Sequence, residues 1–209
     1  MFLLGPIFPA GGCQVNFSFV RKIAAMPLAF GFAFFSALSP ALACTRLVYL
    51  GDEDIVITAR SLDWAEDMRS NLWAFPRGIK RDGNAGANSM SWTSKYGSLI
   101  TSGYDIGTAD GINEKGLAAN ALYLAESDYG KPQDGKKNLS ISTWTQYVLD
   151  NYATTQEAVD GLSKEEFVVI CPVLPNGVPA SLHLAVTDRG GDSAVFEYVN
   201  GKLVVHHGR

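Results

Sequence analysis

One junction sets what this chain can fold into. Ala41-Leu42-Ala43-Cys44 matches the small-x-small pattern at which export signals are cut. The folding unit is therefore expected to be residues 44–209, with a cysteine as its first residue. Upstream, Arg21-Lys22 form a basic n-region, and Met26 to Leu38 form an apolar h-region broken by Pro27 and Gly31. That run is shorter than the ~20 apolar residues a membrane-spanning helix needs. Residues 1–43 thus read as an export segment and the product as periplasmic. Met1 to Phe19 has no recognisable part in such a segment, and translation is expected to start at Val20 or nearby.

Cleavage before Cys44 would put a thiol and a free α-amine on one residue, a nucleophile beside its own base. The α-amine has an ordinary pKa of roughly 7.7–8.0, close to where a general base works best. Two other readings of Cys44 stand beside this one. An oxidising compartment permits a disulfide to Cys171, since Cys13 falls in the discarded segment. An N-terminal cysteine can also carry a lipid anchor, although the position three residues before it is Ala41 rather than Leu. The competing class is then a secreted or lipid-anchored, β-rich binding module.

Acids and bases are interspersed and the net charge is −4, which gives no basic surface for nucleic acid or anionic lipid. The pattern after Cys44 is mostly strand. β-Branched runs at 45–50 and 55–60 flank a Gly51-Asp52-Glu53-Asp54 turn. Further strands are expected at 71–75, 90–93, 98–104, 109–112 and 117–124, with loops at 77–89 and 126–138. The period then changes. Ile141, Trp144, Thr145, Val148 and Leu149 fall at helical spacing, and Thr154-Thr155-Gln156-Glu157 matches a capping box ahead of a second helix. Strands return at 167–171, 181–187, 194–199 and 203–206, the last two joined by the hairpin signal Asn200-Gly201. Strands, helices, then strands indicate an α+β domain with antiparallel sheet.

Most familiar catalytic motifs are missing. There is no Gly-x-Ser-x-Gly, His-Glu-x-x-His, Cys-x-x-Cys or phosphate-binding glycine loop, so no metal or organic cofactor is expected. His183, mid-strand, reads as structural, and His206-His207 as terminal. Without a histidine partner, a reactive Cys44 needs a nearby cation to favour its thiolate. Arg60 is the candidate, and Asp63 is placed to hold the amine.

Cys44 at a processing site, the run Ala59-Arg60-Ser61-Leu62-Asp63-Trp64 and the run Asp110-Gly111-Ile112-Asn113-Glu114-Lys115-Gly116-Leu117 together resemble the choloylglycine hydrolase family. So does Glu197-Tyr198-Val199 ahead of Asn200-Gly201-Lys202. The family comprises bile salt hydrolases and penicillin V acylases, which are N-terminal-nucleophile hydrolases. The resemblance implies a four-layer α-β-β-α sandwich. It implies Cys44 as nucleophile, Arg60 as thiolate stabiliser, Asp63 as amine-binding residue and Tyr123 at an oxyanion-hole position. Tyr rather than Asn at 123 tilts the expected substrate towards amides with an aromatic or aliphatic acyl group. Trp64 and Met68 would line the acyl pocket.

By the same resemblance, the expected reaction is hydrolysis of a linear amide in an N-acylated small molecule, penicillin V, an N-acyl homoserine lactone or a bile-salt conjugate. Signal peptidase would be the maturation partner, and a homo-oligomer would be in keeping with the family. The family also carries an oxyanion-hole Asn and a second active-site Arg downstream of the region matching Leu203 to His206. Asn120 and Asn176 fit neither slot. The chain therefore reads as C-terminally truncated and its sandwich as incomplete, which leaves its own activity open.

Overall fold

The computed structural model describes residues 44–171, 177 and 181–208. The chain divides into two compact units, Met1–Ala41 and Leu42–Arg209. The first lies outside the described residues, as do the whole of the expected export segment 1–43, Cys13 and Asn176.

Strands β1 (Arg46–Leu50) and β2 (Val56–Arg60) form an antiparallel hairpin that makes a two-stranded sheet by itself. The main sheet has seven strands. They are β3 (Leu72–Phe75), β6 (Ser98–Gly103), β7 (Gly107–Asn113), β8 (Ala118–Tyr123), β11 (Leu182–Thr187), β12 (Ser193–Val199) and β13 (Lys202–Gly208). Their order across the sheet is β13-β12-β11-β8-β7-β6-β3, with every pair antiparallel. Between β8 and β11 the chain leaves the sheet to form helices α1 (Ile141–Asn151) and α2 (Thr155–Leu162).

The core lies where the helices meet one face of this sheet. Trp144, Val148 and Leu149 of α1 and Ala158 and Leu162 of α2 join Ile100, Ala119, Leu184, Val186, Phe196 and Tyr198 from the strands. Alternation along the strands separates the two faces. Ala119 packs with the helices, whereas its neighbour Asn120 receives a hydrogen bond from Arg46 of the hairpin. The described part therefore runs helices, seven-stranded sheet, hairpin: three of the four layers expected.

Three local readings differ from expectation. Residues 77–89 hold a short strand, β4 (Lys80–Asp82), paired with β5 (Ser91–Thr93). Residues 126–138 end in β9 (Lys137–Ser140), which pairs parallel with β10 (Phe167–Ile170). Each gained strand is three or four residues long and stabilised by a partner, so the Gly- and Asn-rich loop around it gives no period to read. Third, Tyr104 belongs not to β6 but to the turn after it, where Tyr104 and Asp105 take φ of 55° and 52°. Asp105 holds that turn by accepting from Ser102 (2.7 Å), Asn71 (2.7 Å) and Trp73 (3.3 Å).

Candidate active site

The six side chains singled out from the sequence, Cys44, Arg60, Asp63, Trp64, Met68 and Tyr123, all line one largely apolar cavity. Four stretches of chain bring them there. Cys44 lies two residues before β1, Arg60 ends β2, and Asp63, Trp64 and Met68 sit on the connection to β3. Tyr123 ends β8. The far wall is the β6–β7 turn and the start of α1. Gly107 lies so close to the helix that an added Cβ would come within 2.7 Å of the Ser142 carbonyl oxygen, so any side chain there would push wall and helix apart.

Around Cys44 the backbone is pinned from both sides. The Thr45 N–H donates to Ser61 Oγ at 3.0 Å, and the Ser61 N–H donates back to the Thr45 carbonyl at 2.9 Å. Ser61 Oγ–H then donates to Asp63 Oδ2 at 2.7 Å. Asp63 is thus linked through one hydroxyl to the peptide that follows Cys44. Ser61 is invisible as a site residue in the sequence, because a serine between two charged candidates has no signature of its own. Cys44 is half-buried, and no disulfide joins it to Cys171.

The Arg60 side chain is only 8% exposed. Its Nη2 donates to the Ala121 carbonyl, its Nε lies 3.3 Å from Asp110 Oδ1 as an ion-pair contact, and among the described residues neither Nε nor Nη1 has a hydrogen-bond partner. Asp110 accepts from Asn120 Nδ2 at 2.8 Å, and Asn120 Oδ1 accepts from Arg46 Nε at 2.8 Å. Burial pushes the Asp110 carboxyl above its usual range, against the pull of Arg60, Asn120 and Arg46. Burial also brings Arg46 down to about 10, opposed by Asp110. Both shifts run against charge, as expected where desolvation exceeds the attraction of a pair. Arg46 and Asn120 carry no role by sequence pattern, and Asp110 stands out there only as part of a motif.

One side of the cavity is aromatic. Trp64 meets Tyr123 edge-on, with ring centroids 5.7 Å apart. The Trp64 Nε1–H donates to the Tyr104 hydroxyl at 2.7 Å, and that hydroxyl donates to Glu66. Burial and Glu66 together raise the Tyr104 phenol above its ordinary range. The Tyr104 N–H also donates to the Met68 carbonyl at 2.7 Å. Tyr104 therefore fixes two of the candidate lining residues.

The three histidines lie elsewhere. His183 and His206 each approach Glu197 at 3.3 Å, and His207 approaches Asp192 at 2.9 Å. Burial lowers the His183 pKa against the pull of Glu197. No cluster suited to a metal occurs among the described residues.

The family model for linear amide C–N hydrolases of the choloylglycine hydrolase family matches residues 44–209. A penicillin V acylase of Pectobacterium atrosepticum is 52% identical over 178 residues, covering 80% of this chain and 47% of the relative. A bile salt hydrolase/transferase of Clostridium perfringens is 29% identical over 168 residues, 78% of this chain and 50% of its own length. Among solved structures, penicillin V acylase from Agrobacterium tumefaciens superposes with a TM-score of 0.72 at 53% identity, over 78% of this chain and 49% of that one. The chain thus spans about half the length of the relatives it matches. With a matching model over the whole of residues 44–209 and three of the four expected layers in place, this chain belongs to the choloylglycine hydrolase family of linear amide C–N hydrolases.

Proposed function

We propose that this protein hydrolyses a linear amide in an N-acylated small molecule, with Cys44 as nucleophile after removal of residues 1–43 during export to the periplasm. One observation carries the proposal: Cys44, Arg60 and Asp63 share a single apolar cavity, with Asp63 linked through Ser61 to the peptide beside Cys44. The α-amine of Cys44 takes the thiol proton, and the thiolate is favoured by the Arg60 guanidinium. Sulfur adds to the amide carbonyl, and backbone N–H near Tyr123 holds the oxyanion. The ammonium returns its proton to the leaving nitrogen. Water then cleaves the thioester, releasing the acid and restoring the thiol.

The edge-on pair Trp64 and Tyr123 favours a flat aromatic acyl group such as phenoxyacetyl. Identity to two penicillin V acylases supports the same choice. The relatives reach about twice this chain's length, and turnover by protein beginning at Cys44 would show that residues 44–209 suffice.

The test is amine release from penicillin V, an N-acyl homoserine lactone and a glycine-conjugated bile salt, by the expressed chain and by Cys44→Ala, with N-terminal sequencing beside it. Turnover of penicillin V ahead of the others, reduced to background in Cys44→Ala, is the expected result. Equal turnover in that variant, or none from folded protein beginning at a free Cys44, overturns the proposal. Trp64→Ala should raise KM for the phenoxyacetyl amide roughly fivefold, the worth of one aromatic contact of about 1 kcal/mol, with kcat little changed.

A further inference from the structure

Hairpin β1–β2 is built against the usual sense. Leu47, Tyr49 and Ile57 face outward, each more than half exposed, while Arg46 and Arg60 point inward at the main sheet. The two arginines are direct cross-strand partners, an arrangement that repels unless something lies between the charges. What lies there is a second cross-strand pair, Asp110 on β7 opposite Asn120 on β8. The four side chains form one line, Arg46–Asn120–Asp110–Arg60, with steps of 2.8, 2.8 and 3.3 Å. Arg46 is held further by Thr187 at 2.6 Å and Ser193 at 3.5 Å. Among the described residues, Asp110 is the one acid in ion-pair contact with either arginine.

This line grips the hairpin where the chemistry begins. Cys44 lies two residues before Arg46, and Arg60 lines the cavity with Cys44. Asp110 lies behind Arg60, outside the lining of that cavity. Its charge therefore reaches the thiol through the guanidinium it orients. Resting on the reading of Cys44 as nucleophile, we propose that Asp110 is a positioning residue, which sets the Arg60 guanidinium directly and the start of β1 through Asn120 and Arg46. Burying Arg46 and Arg60 with one carboxylate between them costs docking free energy, and the gain is a cation held still in the cavity that Cys44 lines. The titratable groups around the Cys44 sulfur are the freed α-amine of Cys44 itself, Arg60 on β2, Asp63 after it, Tyr104 in the β6–β7 turn and Tyr123 on β8.

The experiment is iodoacetamide alkylation of the expressed chain across pH 5–10, resolved at Cys44 by peptide mass spectrometry, with Cys171 as internal standard and the N-terminus of each sample defined by intact mass. Asp110→Asn should slow Cys44 alkylation at neutral pH on the order of tenfold, with the Cys171 rate unmoved. Asn120→Ala keeps every charge and should slow it less. A Cys44 rate unmoved in both variants while Tm falls overturns the proposal. Faster Cys44 alkylation in Asp110→Asn also overturns it, since Asp110 would then act by its own field. Cys44 alkylation slowed in Asp110→Asn, with no amide turnover from wild type, would sink the hydrolase reading and leave this one standing.

Discussion

Glu114, in the turn between β7 and β8, shows how much a single side chain can be biased without burial. Arg77 donates to both of its oxygens and the Gly97 N–H donates to one at 2.8 Å. The Arg77 hydrogen bonds, with that N–H, hold the Glu114 carboxyl at about 2, below its ordinary 4.5. An acid depressed on folding contributes stability above its unfolded pKa and loses it as pH falls towards the folded one. Wild type should therefore exceed Glu114→Gln in Tm at pH 7, with the gap closing between about pH 4.5 and 2. Added salt should narrow the gap at pH 7, because the pair is at the surface. A gap that stays constant across pH would show that the carboxylate charge contributes nothing there.

Among the elements, α1 and α2 are held by different means, and the difference is measurable. Helix α2 is capped locally: Thr154 Oγ1 accepts from the Glu157 N–H at 3.2 Å, and Glu157 reaches back to the Ala153 N–H at 2.7 Å. Thr154→Ala should cost about 1 kcal/mol, read as a lower urea midpoint with m unchanged. Helix α1 depends on the sheet beneath it. Asn113 Nδ2 donates to the Leu149 and Tyr152 carbonyls, which closes the helix C-terminus against β7. Gly111 lets that strand approach, since a Cβ there would meet Leu149 Cδ1 at 2.6 Å and the Leu99 carbonyl oxygen at 2.9 Å. Gly111→Ala should therefore cost about 1–3 kcal/mol by overpacking, more than the loss of the α2 cap. If the cap variant proves the more damaging, then α1 is not seated as tightly on β7 as these distances require.

The described molecule has two unlike sheet faces. The helices cover one of them with a closed core. The other carries the hairpin at one part, and elsewhere exposes Leu99 and Ile112, which are cross-strand partners, and Leu72 beside them. With Leu47, Tyr49 and Ile57 on the hairpin, this is more exposed apolar side chain than an isolated surface usually bears. The native protein should bind a hydrophobic dye such as ANS, and Leu99→Thr together with Ile112→Thr should cut that signal by about half with Tm little changed. Dye binding equal in the variant and wild type would place the accessible apolar surface elsewhere.

Strand and helix order is legible in the chain itself, because period and turn chemistry are local. The Asn200-Gly201 hairpin is an example, with φ of 51° and 73° at its two residues as a primed turn requires. The spacing of Cys44, Arg60 and Asp63 is legible as well, since all three lie within one hairpin and its exit. Strands β4 and β9 are not, because three or four residues show no period until a partner pairs with them. Tyr104, Asp110 and Asn120 are not legible either. Each matters through a residue at least ten positions away, and only the packing of the hairpin on the sheet decides that Arg60 meets Asp110 and Arg46 meets Asn120. The sequence alone determined which residues are candidates for reactive chemistry, because reactivity belongs to side-chain type. The tertiary structure decided what holds those residues still, because support comes from neighbours that the chain order does not reveal.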